Sequence, residues 1–192
     1  GSAPTMSGVY DPDEFYDDLA RVTGGQTDEK LARLTIERSS ELISWLGAQG
    51  VKFGPPLGGT LSLGRTNAFF LGGGRGELNS LYRTAAKLGV TLLYDAPVIA
   101  LNIENSFFTS LTIKTRTGPK EIRGRSLVAA AGGFEANIEW LKRYWGPAAD
   151  NFVIRGTPYN RGAVLRMLLE KGVMATGDPT QCHAVALDAR AP

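Results

Sequence analysis

The sequence predicts an α/β fold: helices and an antiparallel β-meander set beside one strand buried on both faces. Three observations carry this reading. Residues 127–131, Leu-Val-Ala-Ala-Ala, form an apolar run too short for a globular helix, bracketed by a charged approach and the pair Gly132-Gly133; that is how a strand covered on both faces reads. Across residues 90–123 the apolar period is strand-like, with turn residues Glu104-Asn105-Ser106 and Thr117-Gly118-Pro119 between the runs, which argues a meander. Elsewhere the apolar positions recur at helical spacing, and glycines close the stretches.

Taken in order, residues 1–9 read as a tag or linker remnant, with Gly1-Ser2 as a cloning scar. Asp11 caps a first helix, Pro12 suits its first position, and Glu14 closes a capping box. This helix runs to Val22 and stops at Gly24-Gly25. A second begins after Thr27, with Leu31, Leu34, Leu42, Trp45 and Leu46 on one face and Gly50 at its end. Residues 51–53 are a short strand candidate, and 54–76 are too rich in Gly and Pro, and too long, for an idle connection.

Gly72-Gly-Gly-Arg-Gly-Glu77 matches neither phosphate-binding motif: the dinucleotide fingerprint needs glycine where Glu77 stands, and a P-loop needs Lys followed by Ser or Thr. What remains is a structural turn, or a glycine-rich entry to a helix whose dipole faces an anion. That helix carries Leu78, Leu81, Tyr82, Ala85 and Leu88, and Gly89 closes it. Strands follow at 90–94, 97–103, 107–116 and 121–123.

Side chains in 127–131 shrink to three alanines just before the glycine pair, so another backbone or a ligand can come close. Asn137 caps the next helix, with Ile138, Leu141 and Tyr144 on one face. Strand, Gly-Gly turn and helix together present backbone to a cofactor at the carboxyl end of a sheet, or else form a tight turn; both readings stand. Asn160 caps the last helix, with Leu165, Leu168 and Leu169 inward and Gly172 closing it. No Gly-x-Gly-x-x-Gly βαβ unit occurs in the chain.

Composition narrows the function classes. With 192 residues the chain is one large domain or a piece of a larger one, and 43% apolar content supports a core. No apolar run approaches the ~20 residues of a membrane span, so membrane insertion is not expected. A net charge of +2 with scattered Lys and Arg argues against nucleic acid. The lone Cys182 fits a reducing, cytoplasmic compartment, and one His with one Cys argues against a zinc site. Cys182 and His183 are adjacent in an extended segment and point to opposite faces, so they are not expected to form a nucleophile pair. The chain opens without an initiator methionine or signal peptide and ends abruptly at Pro192, as a fragment would.

Several stretches then resemble a known family. Gly73-Gly-Arg-Gly-Glu-Leu78, Ala85-Ala-Lys-Leu-Gly89, Leu93-Tyr-Asp-Ala-Pro-Val98 and Ser126-Leu-Val-Ala-Ala-Ala-Gly-Gly-Phe-Glu-Ala-Asn137 resemble the succinate dehydrogenase/fumarate reductase flavoprotein superfamily. Arg21-Val-Thr-Gly-Gly-Gln-Thr27, Arg65-Thr-Asn-Ala-Phe-Phe70, Asn151-Phe-Val-Ile-Arg-Gly156 and the segment from Gly177 to the end are similar to FAD-dependent tricarballylate dehydrogenases. The resemblance runs from Tyr10 onward. It implies a central fragment of an FAD/NAD(P)-binding, glutathione reductase-like domain over 10–175, and the start of a substrate or capping domain over 176–192.

The resemblance also assigns residues. Val98 matches a residue whose backbone meets the adenine, and Ala130, Ala131, Gly132 and Gly133 match an Ala-Thr-Gly-Gly stretch beside FAD, with alanine replacing the threonine. In Asn160-Arg-Gly-Ala-Val164, Gly162 and Ala163 stand where many relatives carry Gly-Asp, so the acidic flavin contact is missing. His183 matches a histidine that binds a substrate carboxylate; spacing alone favours a capped loop histidine, and the resemblance reverses that preference. Leu57, Arg65, Asn67, Thr180 and Arg190 are further substrate-side candidates. The implied reaction passes a hydride from a di- or tricarboxylate, tricarballylate yielding cis-aconitate, to FAD. The proton-exchanging arginine is expected beyond Pro192, so no catalytic residue is assigned. An electron-accepting membrane or iron–sulfur partner fits the family. Fumarate reductase-type and ketosteroid dehydrogenase-type activities, or a non-catalytic binding or scaffold role, are the alternatives. The fragment alone is expected to hold FAD weakly and to be inactive.

Overall fold

The computed structural model describes residues 6–56, 58, 63–154 and 156–181. The chain divides into two compact units, Gly1–Leu92 and Leu93–Pro192.

The first unit is helical. Helix α1, Pro12–Val22, starts on the Asp11 side chain, which accepts from the Asp13 N–H at 2.9 Å. Helix α2, Glu29–Ala48, starts on Asp28, which accepts from the Leu31 N–H at 2.9 Å; both caps satisfy a donor that a helix start otherwise leaves unpaired. Arg33 donates to Asp13 and lies over the Tyr16 ring, which lays α1 on the turn of α2 that buries Ala32 and Ile36. The predicted apolar face of α2 is therefore mostly wrong: only Leu46 of that set is buried, while Leu31, Leu34, Leu42 and Trp45 are exposed. The buried stripe is instead Ala32, Ile36 and Leu46.

The strand expected at 51–53 shrinks to a single bridge between Phe53 and Phe70, whose rings lie 5.5 Å apart. A short helix the sequence did not announce follows, α3, Leu63–Thr66. Helix α4 is Gly73–Lys87, entered through Gly72 at φ 83°. A Cβ on Gly76 would stand 2.5 Å from the Leu71 carbonyl oxygen, so its glycines serve a tight turn. Residues 90–92 form no strand, nor do 93–94 at the start of the second unit. Asp95 turns the chain at φ 51°, and no described strand pairs with the segment.

The second unit contains the predicted meander: β1 Val98–Glu104, β2 Phe107–Thr115 and β3 Gly118–Arg123, antiparallel in that order. Asn105 and Ser106 both take positive φ, 49° and 66°, the backbone a two-residue hairpin requires. Leu101, Ser110 and Ile113 are buried, and Ser110 donates to Glu121 at 2.7 Å while accepting from Asn102 at 2.8 Å. Helix α5, Ile138–Trp145, is capped by Asn137, which accepts from the Trp140 N–H at 3.1 Å. A 3-10 turn, Pro147–Asn151, buries Ala149. Helix α6, Ala163–Glu170, packs on β1.

Two expectations fail in this unit. Residues 127–131 form no strand: Val128 is 87% exposed and Ala129, Ala130 and Ala131 are exposed. A strand buried on both faces needs neighbours at both edges. Here β3 ends at Arg123, and the backbone of 127–133 makes no backbone–backbone hydrogen bond among the described residues. Asn160 also does not cap α6: that position belongs to Gly162 at φ 77°, and Asn160 turns its amide to Glu135.

Candidate functional site

The glycine pair at 132–133 and the turn at 160–163, distant in sequence, meet in the second unit. The Ala136 N–H donates to the Asn160 carbonyl oxygen at 2.9 Å, and Asn137 Nδ2 donates to the Arg161 carbonyl oxygen at 3.0 Å. Arg161 Nη1 returns to the Ala136 carbonyl oxygen at 3.3 Å, and Asn160 Nδ2 donates to Glu135 Oε1 at 2.5 Å. These bonds fix one loop against the other.

Both turns exclude a larger residue. Gly132 has φ 70°, and a Cβ there would lie 2.7 Å from Asn160 Oδ1. Gly162 is buried; a Cβ on it would overlap the Trp140 ring and lie 2.8 Å from Phe134 Cβ. Trp140 stacks on Phe134 with centroids 4.6 Å apart, and this stack closes over Gly162. Ala130, Ala131 and Gly132 are exposed and make no backbone–backbone hydrogen bond among the described residues, so small side chains, available peptide groups and a locked turn coincide. Such a surface accepts either another strand or a ligand with polar edges.

Val98 opens β1, half-buried, paired with Ile113, on the strand that carries α6. Ala163 is exposed at the first position of α6. All the described residues that the resemblance places beside a cofactor thus belong to one unit. Next to them, Asn137, Trp140, Arg143, Tyr144, Arg166 and Leu169 line an open groove of about 710 Å³ between α5 and α6.

The substrate-side candidates gather less well. Arg65, on α3, is committed to Glu14, with bonds of 2.8 Å and 2.5 Å, and its guanidinium lies over the Tyr10 ring. That guanidinium holds the Glu14 carboxyl below its ordinary range, and the Arg65 pKa rises in return. Asn67 is exposed and donates to Thr66 at 2.7 Å. Thr180, in the other unit, donates its hydroxyl to Asp178 at 2.6 Å; that bond and the Thr180 N–H lower the Asp178 pKa. Leu57, Cys182, His183 and Arg190 lie outside the described residues. Among the described residues no group of three His, Cys, Asp or Glu could hold a metal ion, and no helix is long and apolar enough to cross a membrane.

Sequence reasoning missed Asn160, Glu135 and Trp140. Asn160 looked like a helix cap, and its proximity to Gly132 is a tertiary fact with no local signal. Glu135, three residues past Gly132, was a polar residue inside an apolar-to-helix turn and was the one hint available.

Comparison with known proteins follows the same lines. The FAD binding domain family matches residues 1–191. The NADH:fumarate oxidoreductase of Klebsiella pneumoniae (strain 342) is 26% identical over 163 residues, covering 82% of this chain and 17% of that protein. Among solved structures, a 3-ketosteroid-delta4-(5alpha)-dehydrogenase of Rhodococcus jostii RHA1, in complex with 4-androstene-3,17-dione, aligns with TM-score 0.70 at 20% identity. That alignment covers 88% of this chain and 43% of that one, and the likeness is one of fold. The chain therefore spans less than half the length of either relative.

Proposed function

The chain belongs to the FAD binding domain family, and from that premise we propose that it serves an FAD-dependent oxidoreductase acting on a di- or tricarboxylate. The observation that carries the cofactor half is the joined pair of glycine turns. The exposed peptide groups and small side chains at 130–132, held by turns that packing at Gly132 and Gly162 locks in place, suit a close-lying planar cofactor with polar edges. Bound FAD would supply a hydride acceptor. The backbone of Ala130, Gly132 and Gly133 and the start of α6 at Ala163 would hold it, with Val98 on the adenine side. Ala131 and Ala163 bring no polar side chain, so binding rests on main-chain contacts and shape.

The carboxylate half is supported by the 26% identity to a fumarate oxidoreductase. Removing hydride and proton from neighbouring carbons demands that the anionic substrate be clamped, because a misplaced carbon forfeits effective molarity. Thr180, His183 and Arg190 in the second unit are proposed for the substrate side, and Leu57 and Asn67 in the first unit are a separate proposed set. Arg65 joins it only by releasing Glu14, whose carboxylate it holds in the way it would hold a substrate carboxylate. Within the class we put tricarballylate first, with cis-aconitate as product, and an iron–sulfur or membrane-bound electron acceptor as partner.

Assay of the full-length protein with an artificial acceptor tests this reading. Turnover with tricarballylate or succinate, or reduction of fumarate, is the expected result. Turnover confined to a 3-ketosteroid would overturn the carboxylate assignment, and absence of bound flavin would overturn the cofactor assignment.

A further inference from the structure

We propose that Asn160 is a positioning residue for the cofactor-facing backbone, setting the glycine turn at 132–133 against the turn at 162–163; the inference rests on the FAD reading above. Three observations converge on this one residue. Its Nδ2 donates to Glu135 Oε1 at 2.5 Å, its main-chain oxygen accepts from the Ala136 N–H at 2.9 Å, and its whole amide lies on Gly132, every amide atom within 2.9 Å of where a Cβ would stand. Asn160 is thus the only described residue that bonds the 135–136 segment with both backbone and side chain while roofing the glycine.

The chemistry is specific to an amide. A bond to a carboxylate is stronger than a neutral pair, so Glu135 fixes the amide's orientation. With Nδ2 committed, Oδ1 is the amide atom that would come nearest a Cβ on Gly132, at 2.7 Å. Shortening the side chain frees the glycine pair to rotate, because residues 127–133 have no backbone–backbone hydrogen bond among the described residues to restrain them. Asn160 is then the link between a floating peptide edge and the fixed start of α6. It need not touch the cofactor: it sets the peptide groups that do.

The test uses the full-length, FAD-loaded protein and four variants: Asn160→Ala, Asn160→Asp, Glu135→Gln and the double variant Asn160→Asp/Glu135→Gln. Asn160→Ala should raise the Kd for FAD about tenfold or more, the cost of a charged hydrogen bond, and shift the flavin midpoint potential. Asn160→Asp should weaken FAD further at neutral pH, since two carboxylates then face each other. In the double variant the amide introduced by Glu135→Gln can donate to the carboxylate introduced by Asn160→Asp, and the Kd should return to within about threefold of wild type. The apo-protein melting temperature separates this from a merely structural role, which would lower it in all variants while leaving the potential of bound FAD unchanged. FAD affinity and potential unchanged in Asn160→Ala and Asn160→Asp, or no recovery in the double variant, would overturn the proposal. Should Asn160→Ala fail to fold, the Asn160→Asp pair decides. A wild-type protein that takes up no FAD would instead overturn the functional reading itself.

Discussion

Gly162 bears the tightest packing in the second unit. Its φ of 77° suits glycine, and its Cα faces the Trp140 ring and Phe134 Cβ. Alanine there pays a left-handed backbone penalty of about 1–2 kcal/mol and an overpacking cost of about 1–3 kcal/mol. We expect Gly162→Ala to lower stability by about 2–5 kcal/mol in urea unfolding; an unchanged midpoint would show that the Trp140 ring does not close over Gly162. A second residue-scale prediction concerns Glu14. Its folded pKa is depressed by Arg65, so the pairing is fully present above the ordinary value of 4.5 and is lost as pH falls through the lowered one. The Glu14 carboxyl carbon should titrate below 4.5 by NMR, and Arg65→Ala should return it toward 4.5. A midpoint unmoved by Arg65→Ala would remove the ion pair from the account. At this scale the sequence disclosed caps well: Asp11 and Asn137 each accept a helix-start N–H, and Asp28 does so just past Thr27, where the second helix was expected to begin. It did not disclose Asn160, because what Asn160 covers is far away along the chain.

Elements with self-contained hydrogen bonding were legible. The meander needed only alternation and turn residues, and its strands appear within a few residues of the reading. Helices α1, α2, α4, α5 and α6 likewise announced themselves through caps and glycines, whereas the four-residue α3 is too short to leave a period. Faces were harder: α2 carries apolar residues on more than one side, and only its neighbour decides which turns inward. Residues 127–131 show the limit most clearly, since their apolar pattern specifies burial but not the partner that supplies it. Their amides should exchange rapidly in the isolated 192-residue chain and slowly in the full-length FAD-loaded protein. Equal rapid exchange in both would mean that the segment never acquires a partner. Within the meander, Ile113→Ala should cost about 2–4 kcal/mol by denaturant titration, because Ile113 is buried between β1 and β3. A cost below about 1 kcal/mol would place the core elsewhere.

For the whole molecule, composition and period reached no further than an α/β domain; the family resemblance came from a set of short stretches in a fixed order, and the match over residues 1–191 bears out its FAD-binding level, not the tricarballylate branch. Substrate is less legible because it depends on loops: His183 and Arg190 lie outside the described residues, and Arg65 is held by Glu14. The chain lacks a Gly-x-Gly-x-x-Gly turn, the usual anion site for the pyrophosphate at a helix start. We therefore expect the 192-residue chain alone to lose FAD on dialysis. The measurement that bears most directly on the central claim is the visible absorption spectrum of the purified full-length protein, taken before and after anaerobic addition of tricarballylate or succinate. The account predicts a bound-flavin spectrum, released by denaturation as FAD, that bleaches with one of these carboxylates. A protein that stays colourless after incubation with FAD would contradict it.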